Sequence, residues 1–372
     1  MKTLCIFGTR PEAIKMAPIA KALNAHPSFQ NKICITGQHT DMLSEVMRTF
    51  DMQADFDLAT FRQGQATSEL FSKIMKTLGP VLEQEQPDWV LVHGDTTSMI
   101  AAGLTAFYQK IKIAHIEAGL RTYDMHSPWP EEVHRRMVSA VTSHHFCPTK
   151  SSRENLIQEQ IPADRITVTG NSVIDALFMI RDRLNNELEL RQEIDRALPK
   201  IDKNKSLILV TGHRHENFNA GLGNMCDALL KLAEREDVQI IFPVHLNPKV
   251  QTTVREKIDA IDNIHLIGPV AYPSFIRLIM QAKLIITDSG GIQEEAPSLG
   301  IPVLVTRTQT ERPEGIKAQT ALLVGIQMED IYREAKRLLD SPDHYSNIAS
   351  KVNPYGDGKA TEAIIAKLLE LN

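Results

Sequence analysis

At 372 residues the chain is too long for one ordinary core, because domains run to about 100–200 residues. With 42% hydrophobic and 23% charged residues and no low-complexity tract, it reads as folded throughout, which excludes a disordered or fibrous protein. A net charge of −5 excludes nucleic-acid binding through a general basic surface, and no apolar run nears the ~20 residues of a membrane span.

In chain order, short apolar runs alternate with amphipathic stretches. Strands are expected at Leu4–Phe7, Lys32–Thr36, Trp89–His93, Ile111–Ile116, His145–Pro148 and Ile166–Thr169, with helices such as Ala13–Leu23, Thr67–Leu82 and Thr97–Tyr108 among them. A charged, apolar-poor stretch, Arg181–Lys205, reads as the end of a connecting helix plus a linker. The theme then repeats in strands at Leu207–Thr211, Gln239–Val244, Ile264–Gly268, Leu284–Thr287, Val303–Thr306 and Leu322–Gly325, with helices including Met225–Arg235 and Pro273–Gln281. After the breaker Asn353-Pro354-Tyr355-Gly356, Lys359–Leu371 has the pattern of an amphipathic helix. Runs that are apolar on every residue mark strands buried on both faces. Two series of them predict an α/β protein of two Rossmann-like, doubly wound parallel-sheet domains facing a central cleft. The expected division is 1–170, 171–355, and a final helix in 356–372 that packs back on the N-terminal domain.

Cys5, Cys34, Cys147 and Cys226 are scattered, with neither disulfide-framework nor metal spacing, so buried reduced thiols and a cytoplasmic setting are expected. The opening MKTLCIFGTRPE reaches glycine and charge too soon for a secretory signal.

Ligands of doubly wound sheets sit at the carboxyl ends of strands, so the loops directly after strands hold the candidate site residues. After the first strand, Gly8-Thr9-Arg10-Pro11-Glu12 leads into a helix carrying Lys15. Arg10 and Lys15 put positive charge at a helix start, either as an anion site or as a solvated basic turn. His93-Gly94-Asp95-Thr96 and Glu117-Ala118-Gly119 leave neighbouring strands, so Asp95 and Glu117 can converge. Glu131 and Arg135 lie four apart on one helical face, either as a local ion pair or as part of that site. In the second half, His213 and His215 lack a third ligand with metal spacing, so no metal is expected, and His213 suits phosphate binding or acid–base work better. Asp288-Ser289-Gly290-Gly291 opens a helix whose N–H groups can face a phosphate, with Glu295 four residues in to accept ribose hydroxyls and Arg312 downstream. No G-x-G-x-x-G occurs in a strand–helix turn, so no dinucleotide cofactor is expected.

FGTRPEAIKMAP, VHGDTTS, HIEAGLRT, SPWPEE, VTGNSVIDAL, PVHLNP, DSGGIQEEAPSLG, TERPE and NPYGDG follow one another through nearly the whole chain. In these motifs the chain resembles the non-hydrolysing UDP-N-acetylglucosamine 2-epimerases of bacteria, which share the two-domain architecture of GT-B glycosyltransferases. The resemblance implies reversible inversion at C2 of UDP-N-acetylglucosamine, by loss of UDP to 2-acetamidoglucal and re-addition, without a cofactor. It implies that Arg10, Ser289, Gly290, Gly291, Glu295 and Arg312 hold UDP, that Phe275 helps form the uracil pocket, and that Val270 is a further UDP-sugar contact. Lys15, Asp95, Glu117, Glu131, Arg135 and His213 would surround the sugar and its leaving phosphate. It further implies a homodimer that supplies N-acetylmannosamine units for surface polysaccharide. Val270 stands where the family commonly has glutamine, His215 replaces a usual arginine, and Gly64 falls near a position where some members have arginine. The last two count against the family's regulatory second UDP-N-acetylglucosamine site, to which Gln38 and His39 would otherwise point.

Overall fold

The structure is a computed structural model that describes residues 1–37, 40–62, 64–212, 221–258 and 261–372, and it falls into two compact units. Met1–Ala176 with Tyr355–Asn372 forms the first unit, and Leu177–Pro354 forms the second.

In the first unit the elements are β1 (Lys2–Phe7), α1 (Arg10–Ala25), β2 (Gln30–Ile35), α2 (Thr40–Thr49), β3 (Phe56–Asp57), α3 (Thr67–Glu85), β4 (Trp89–His93), α4 (Thr97–Tyr108), β5 (Lys112–Ile116), α5 (Glu131–Val141), β6 (His144–Cys147), α6 (Lys150–Gln158) and β7 (Ile166–Val168). α7 (Ser172–Asn186) carries the chain into the second unit. That unit contains α8 (Leu188–Ala197), β8 (Ser206–Thr211), α9 (Gly221–Ala233), β9 (Val238–Pro243), α10 (Pro248–Ile258), β10 (Ile264–Ile267), α11 (Tyr272–Gln281), β11 (Leu284–Thr287), α12 (Gly290–Glu295), β12 (Val303–Val305), α13 (Pro313–Lys317), β13 (Ala321–Leu323), α14 (Met328–Asp340) and α15 (Pro342–Ala349). α16 (Ala360–Glu370) returns to the first unit and packs on α1.

Both sheets are parallel throughout, in the orders β3-β2-β1-β4-β5-β6-β7 and β10-β9-β8-β11-β12-β13. Each sheet reverses its direction of winding once, between β1 and β4 and between β8 and β11, the doubly wound topology. Burial follows the runs that predicted it: all five residues of β4 and all four of β11 are buried, as helices on both sheet faces require. Leu4, Ile6, Val90 and Val92 pack against Leu78, Leu82, Met99 and Ile100 in the first core. Ile208, Val210, Ile240, Ile286 and Leu304 meet Leu229, Leu232 and Val254 in the second.

Two features depart from the sequence expectation. The first sheet has a seventh strand, β3, whose two residues are too few to show any hydrophobic period. Within Arg181–Lys205 a full helix, α8, replaces most of the expected linker. It buries only Ile194 and is fixed to α11 by an Asp195–Arg277 ion pair at 2.7 Å.

Candidate active site

The turn after β1 is closed by Glu12. Its carboxylate accepts from the N–H of Gly8 (2.9 Å), the N–H of Thr9 (2.8 Å) and the Thr9 hydroxyl (2.9 Å), completing a capping box at the start of α1. Its other oxygen accepts from Thr96 Oγ1 at 2.5 Å, tying the loop after β4 to the loop after β1 at the point where the winding reverses. Burial raises the Glu12 pKa, and the four hydrogen bonds oppose that rise. Gly8 is dictated by packing: a Cβ there would lie 1.9 Å from Thr36 Oγ1 and 2.2 Å from Ser98 Oγ.

Beside this turn lies a charge cluster. Lys15, buried on α1, forms an ion pair with Glu117, which follows β5 directly. Asn171 Nδ2 donates to the same Glu117 oxygen at 2.7 Å, and His93 Nε2 lies 3.9 Å from it. Glu117 itself has φ +61°, a left-handed conformation that a glutamate adopts only at some cost. The loop that imposes it is clamped downstream. Gly119, at φ +86°, approaches Ser152 so closely that a Cβ would sit 2.2 Å from its carbonyl oxygen. The buried Arg121 guanidinium donates to both Glu159 oxygens at 2.7 Å and to Ser139 Oγ at 2.9 Å.

Asp95, two residues past β4, accepts from Arg135 through Nη2 at 2.6 Å and Nε at 3.0 Å. Arg135 also donates to Glu132 at 3.1 Å, and Glu132, fully buried, accepts from the N–H groups of Thr122 and Tyr123. Arg135 thus pairs with Asp95 and Glu132, not with Glu131 four residues before it. Glu131 begins α5 half-buried, and among the described residues no hydrogen bond or ion pair joins it to the group. His115 donates its Nε2–H to the Gly94 carbonyl at 2.7 Å, which fixes the turn between His93 and Asp95. Desolvation holds His93 and His115 down to about 4 each, so both imidazoles are neutral at ordinary pH. Arg10 is the first residue of α1.

In the second unit the loop after β11 lies at that sheet's winding reversal. Thr211 and Thr287 join β8 to β11 through a 2.6 Å hydroxyl contact, and Thr287 Oγ1 accepts the Ser289 N–H at 2.9 Å. Ser289 precedes α12, and its own side chain makes no capping bond to the helix. Gly290 and Gly291 open the helix, and Glu295 folds back toward them while accepting the Tyr272 hydroxyl at 2.7 Å. Arg312 pairs with the buried Glu294, and its N–H donates to Thr310 Oγ1, which in turn donates to Gln293 at 2.8 Å. Ser289 through Glu295 and Arg312 therefore form one bonded group. Phe275 and Val270 lie apart from it in sequence, half-buried on α11 and just after β10. His213, Gln38 and His39 lie outside the described residues, as does His215. No cluster of metal-ligating side chains occurs among the described residues.

Glu12, His93 and Asn171 belong to the first unit's site although sequence reasoning does not single them out. The T-x-x-E spacing of Thr9 and Glu12 carries a legible capping signal. Asn171 has none, because its carboxylate partner is 54 residues away.

The family profile described as UDP-N-acetylglucosamine 2-epimerase matches residues 21–369. The chain is 49% identical over 369 residues to the UDP-N-acetylglucosamine 2-epimerase of Yersinia pestis, covering 99% of this chain and 98% of that one. It is 46% identical over 371 residues to that of Neisseria meningitidis serogroup A, covering both chains in full. A crystal structure of UDP-GlcNAc 2-epimerase from Neisseria meningitidis bound to UDP-GlcNAc superimposes with a TM-score of 0.93, at 46% identity and full coverage of both chains. The Methanocaldococcus jannaschii enzyme in complex with UDP-GlcNAc and UDP matches with a TM-score of 0.83 at 31% identity, again covering both chains in full.

Proposed function

The chain belongs to the UDP-N-acetylglucosamine 2-epimerase family, and on that premise we propose that it interconverts UDP-N-acetylglucosamine and UDP-N-acetylmannosamine without hydrolysing either. The observation that supports this most is the buried Lys15–Glu117 pair on a strained residue beside the Asp95–Arg135 pair, at the carboxyl ends of β4 and β5.

C2 of the sugar has no adjacent carbonyl, so removing its proton alone gives no stabilised anion. Elimination supplies the missing electron sink. A side-chain base takes the C2 proton, the C–H electron pair forms the C1=C2 bond, and the C1–O bond breaks to release UDP. The products held in the site are 2-acetamidoglucal and UDP. Re-addition returns a proton to C2 on the opposite face while a diphosphate oxygen attacks C1, so atoms and charge balance over the cycle. Inversion requires acid–base groups on both faces of C2, and Asp95, Glu117, Glu131 and His213 are assigned to that work. Lys15 and Arg135 offset the charges of Glu117 and Asp95 and, with Arg10, stabilise the leaving diphosphate. In the second unit, Ser289–Gly291, Glu295 and Arg312 are assigned to the UDP moiety, with Phe275 toward the base and Val270 as a further UDP-sugar contact. Gln38 and His39 remain the candidates for a regulatory second substrate site, which the departures at His215 and Gly64 count against.

We further place the active chain as a homodimer in the cytoplasm, its product feeding surface polysaccharide, on the strength of the family resemblance. No helix among the described residues is long and apolar enough to cross a membrane. Incubation with UDP-N-acetylglucosamine alone in heavy water, followed by phosphorus NMR and mass spectrometry, tests the chemistry. Two persistent sets of diphosphate-sugar signals, one from each UDP-sugar, with solvent deuterium at C2 are expected. Stoichiometric free UDP with free N-acetylmannosamine would make the enzyme hydrolytic, and full retention of the C2 hydrogen would sink the elimination route.

A further inference from the structure

Glu117 depends on a residue that has no assigned role. Asn171 Nδ2 donates to its carboxylate at 2.7 Å, on the same oxygen that Lys15 contacts. The orientation of the amide is fixed by its other end, where Oδ1 accepts the N–H of Val173 at 3.1 Å, so the NH₂ must face Glu117. The backbone is fixed as well: the Asn171 N–H donates to the Tyr355 carbonyl at 2.7 Å. Asn171 is 3% exposed and Tyr355 is 1% exposed. Gly170, at φ +86°, lies so close that a Cβ there would come within 3.2 Å of the Tyr355 carbonyl oxygen. Tyr355 and Gly356 of the N-P-Y-G motif, which UDP binding and proton transfer leave without a task, are thus the outer support of a residue in contact with the Glu117 carboxylate.

We propose that Asn171 is a positioning residue for proton transfer at C2, holding the Glu117 carboxylate in one rotamer from a mount on the returning segment at Tyr355. This rests on reading Glu117 as an acid–base group. The titratable and charged neighbours are Lys15 from α1, His93 from β4, Asp95 after β4, His115 from β5, and Arg121 from the same loop as Glu117. The two histidines are neutral, whereas Lys15 and the Asn171 amide, both in contact with the carboxylate, favour its charged form. A hydrogen bond to the charged form favours that form. Without it Glu117 takes up a proton at higher pH and loses its fixed aim.

Asn171→Asp is the sharpest test, because it keeps the shape and the acceptor for Val173 while replacing the donor with a like charge. Asn171→Ala removes the donor without adding charge. For both, kcat and KM for UDP-N-acetylglucosamine are measured across pH, with UDP affinity by calorimetry and folding by circular dichroism. The expected result is a 10- to 100-fold fall in kcat at neutral pH and UDP affinity within about twofold of the parent. The acid limb of the kcat profile should also move up by about one unit, since two to three such bonds together shift a carboxylate by about two. Unchanged kcat overturns the proposal. So does a fall in kcat that tracks the loss of folded protein while the acid limb stays superimposed on the parent's. A parent that does not interconvert the two UDP-sugars, or a fully active Glu117→Gln, overturns the underlying reading instead and takes the proposal with it. Impaired Glu117→Gln alongside normal Asn171 variants refutes the proposal alone.

Discussion

Glu117 is where local preference and global structure disagree most, since a glutamate at φ +61° is held there by its surroundings rather than by its own backbone preference. Strain of this kind persists where neighbours over-determine the geometry, and Lys15, Asn171 and the Arg121–Glu159 clamp supply that here. Asp95→Asn and Glu117→Gln are therefore expected to cut turnover by about 10²–10⁴-fold while leaving UDP affinity close to the parent's. Steady-state kinetics with calorimetric UDP titration checks this, and a carboxamide variant that turns over normally but fails to bind UDP would reverse the assignment. In the second unit the cleaner probe is Glu295→Gln, expected to weaken UDP binding by about 1–3 kcal/mol through the loss of a charge-assisted acceptor. Arg312→Ala is less clean, because it would also strand the buried Glu294 carboxylate and so lower stability along with affinity. The candidate positions were legible because strand-end loops advertise themselves with glycines and charges. Their partners were not: Lys15 and Glu117 are 102 residues apart, and Asp95 and Arg135 are 40 apart. Local spacing pointed Arg135 toward Glu131, whereas the fold gave it Asp95 from 40 residues away and, on its own helix, Glu132 at i−3.

At the scale of elements, two small devices fix the frame on which these side chains stand. One is the β1–α1 turn, where Gly8 leaves room for Thr36 and Ser98, whose hydroxyls meet at 2.7 Å. Gly8→Ala must displace both, and overpacking of this kind costs about 1–3 kcal/mol or more. A fall in the urea midpoint with an unchanged denaturant slope would show it, and an unchanged midpoint would show that the turn can yield. The other is Asp175, buried on α7, which accepts the N–H groups of Thr361 (2.8 Å) and Ala360 (3.3 Å) and so caps α16 from outside the helix. Asp175→Ala should cost about 1 kcal/mol, as the loss of an N-cap does. Amide hydrogen exchange across 360–370 should rise before that of β1 and β4. Equal acceleration everywhere would mean that α16 has no separate opening. The long strands were legible because a helix-covered parallel sheet needs residue after residue to be apolar, and that requirement is written locally. β3 escaped because two residues carry no period. α8 escaped because its stabilisation is an ion pair to α11, 82 residues away, and one buried isoleucine rather than an apolar face.

For the molecule as a whole, the first sheet buries an unusual set of histidines on three adjacent strands. Burial takes His93 on β4, His115 on β5 and His144 on β6 down to about 4 each, and His145 on β6 down to about 2. His115 and His145 are register partners, and both nitrogens of His93 and of His145 lack hydrogen-bond partners among the described residues. The unfolded chain protonates its histidines near pH 6.5, whereas the fold refuses those protons until about pH 4 or below. Below 6.5 the unfolded state therefore binds more protons, and stability falls as pH falls. Each such group contributes at most about 1.4 kcal/mol per pH unit in that window. The buried carboxylates Glu12 and Asp175 act in the opposite sense, since their raised pKa values let the fold take up protons first. They number two against four histidines. The urea midpoint is thus expected to be flat above pH 7 and to drop steeply between pH 6.5 and 5, well before ordinary carboxylates titrate. Replacing His145 by phenylalanine, which asks for no proton in either state, should make that drop shallower even if it shifts the midpoint at pH 7.5. A midpoint that holds steady from pH 7 to 5 in the parent, or a slope identical in the two proteins, would mean that these imidazoles open to water together with the rest of their surroundings before they titrate.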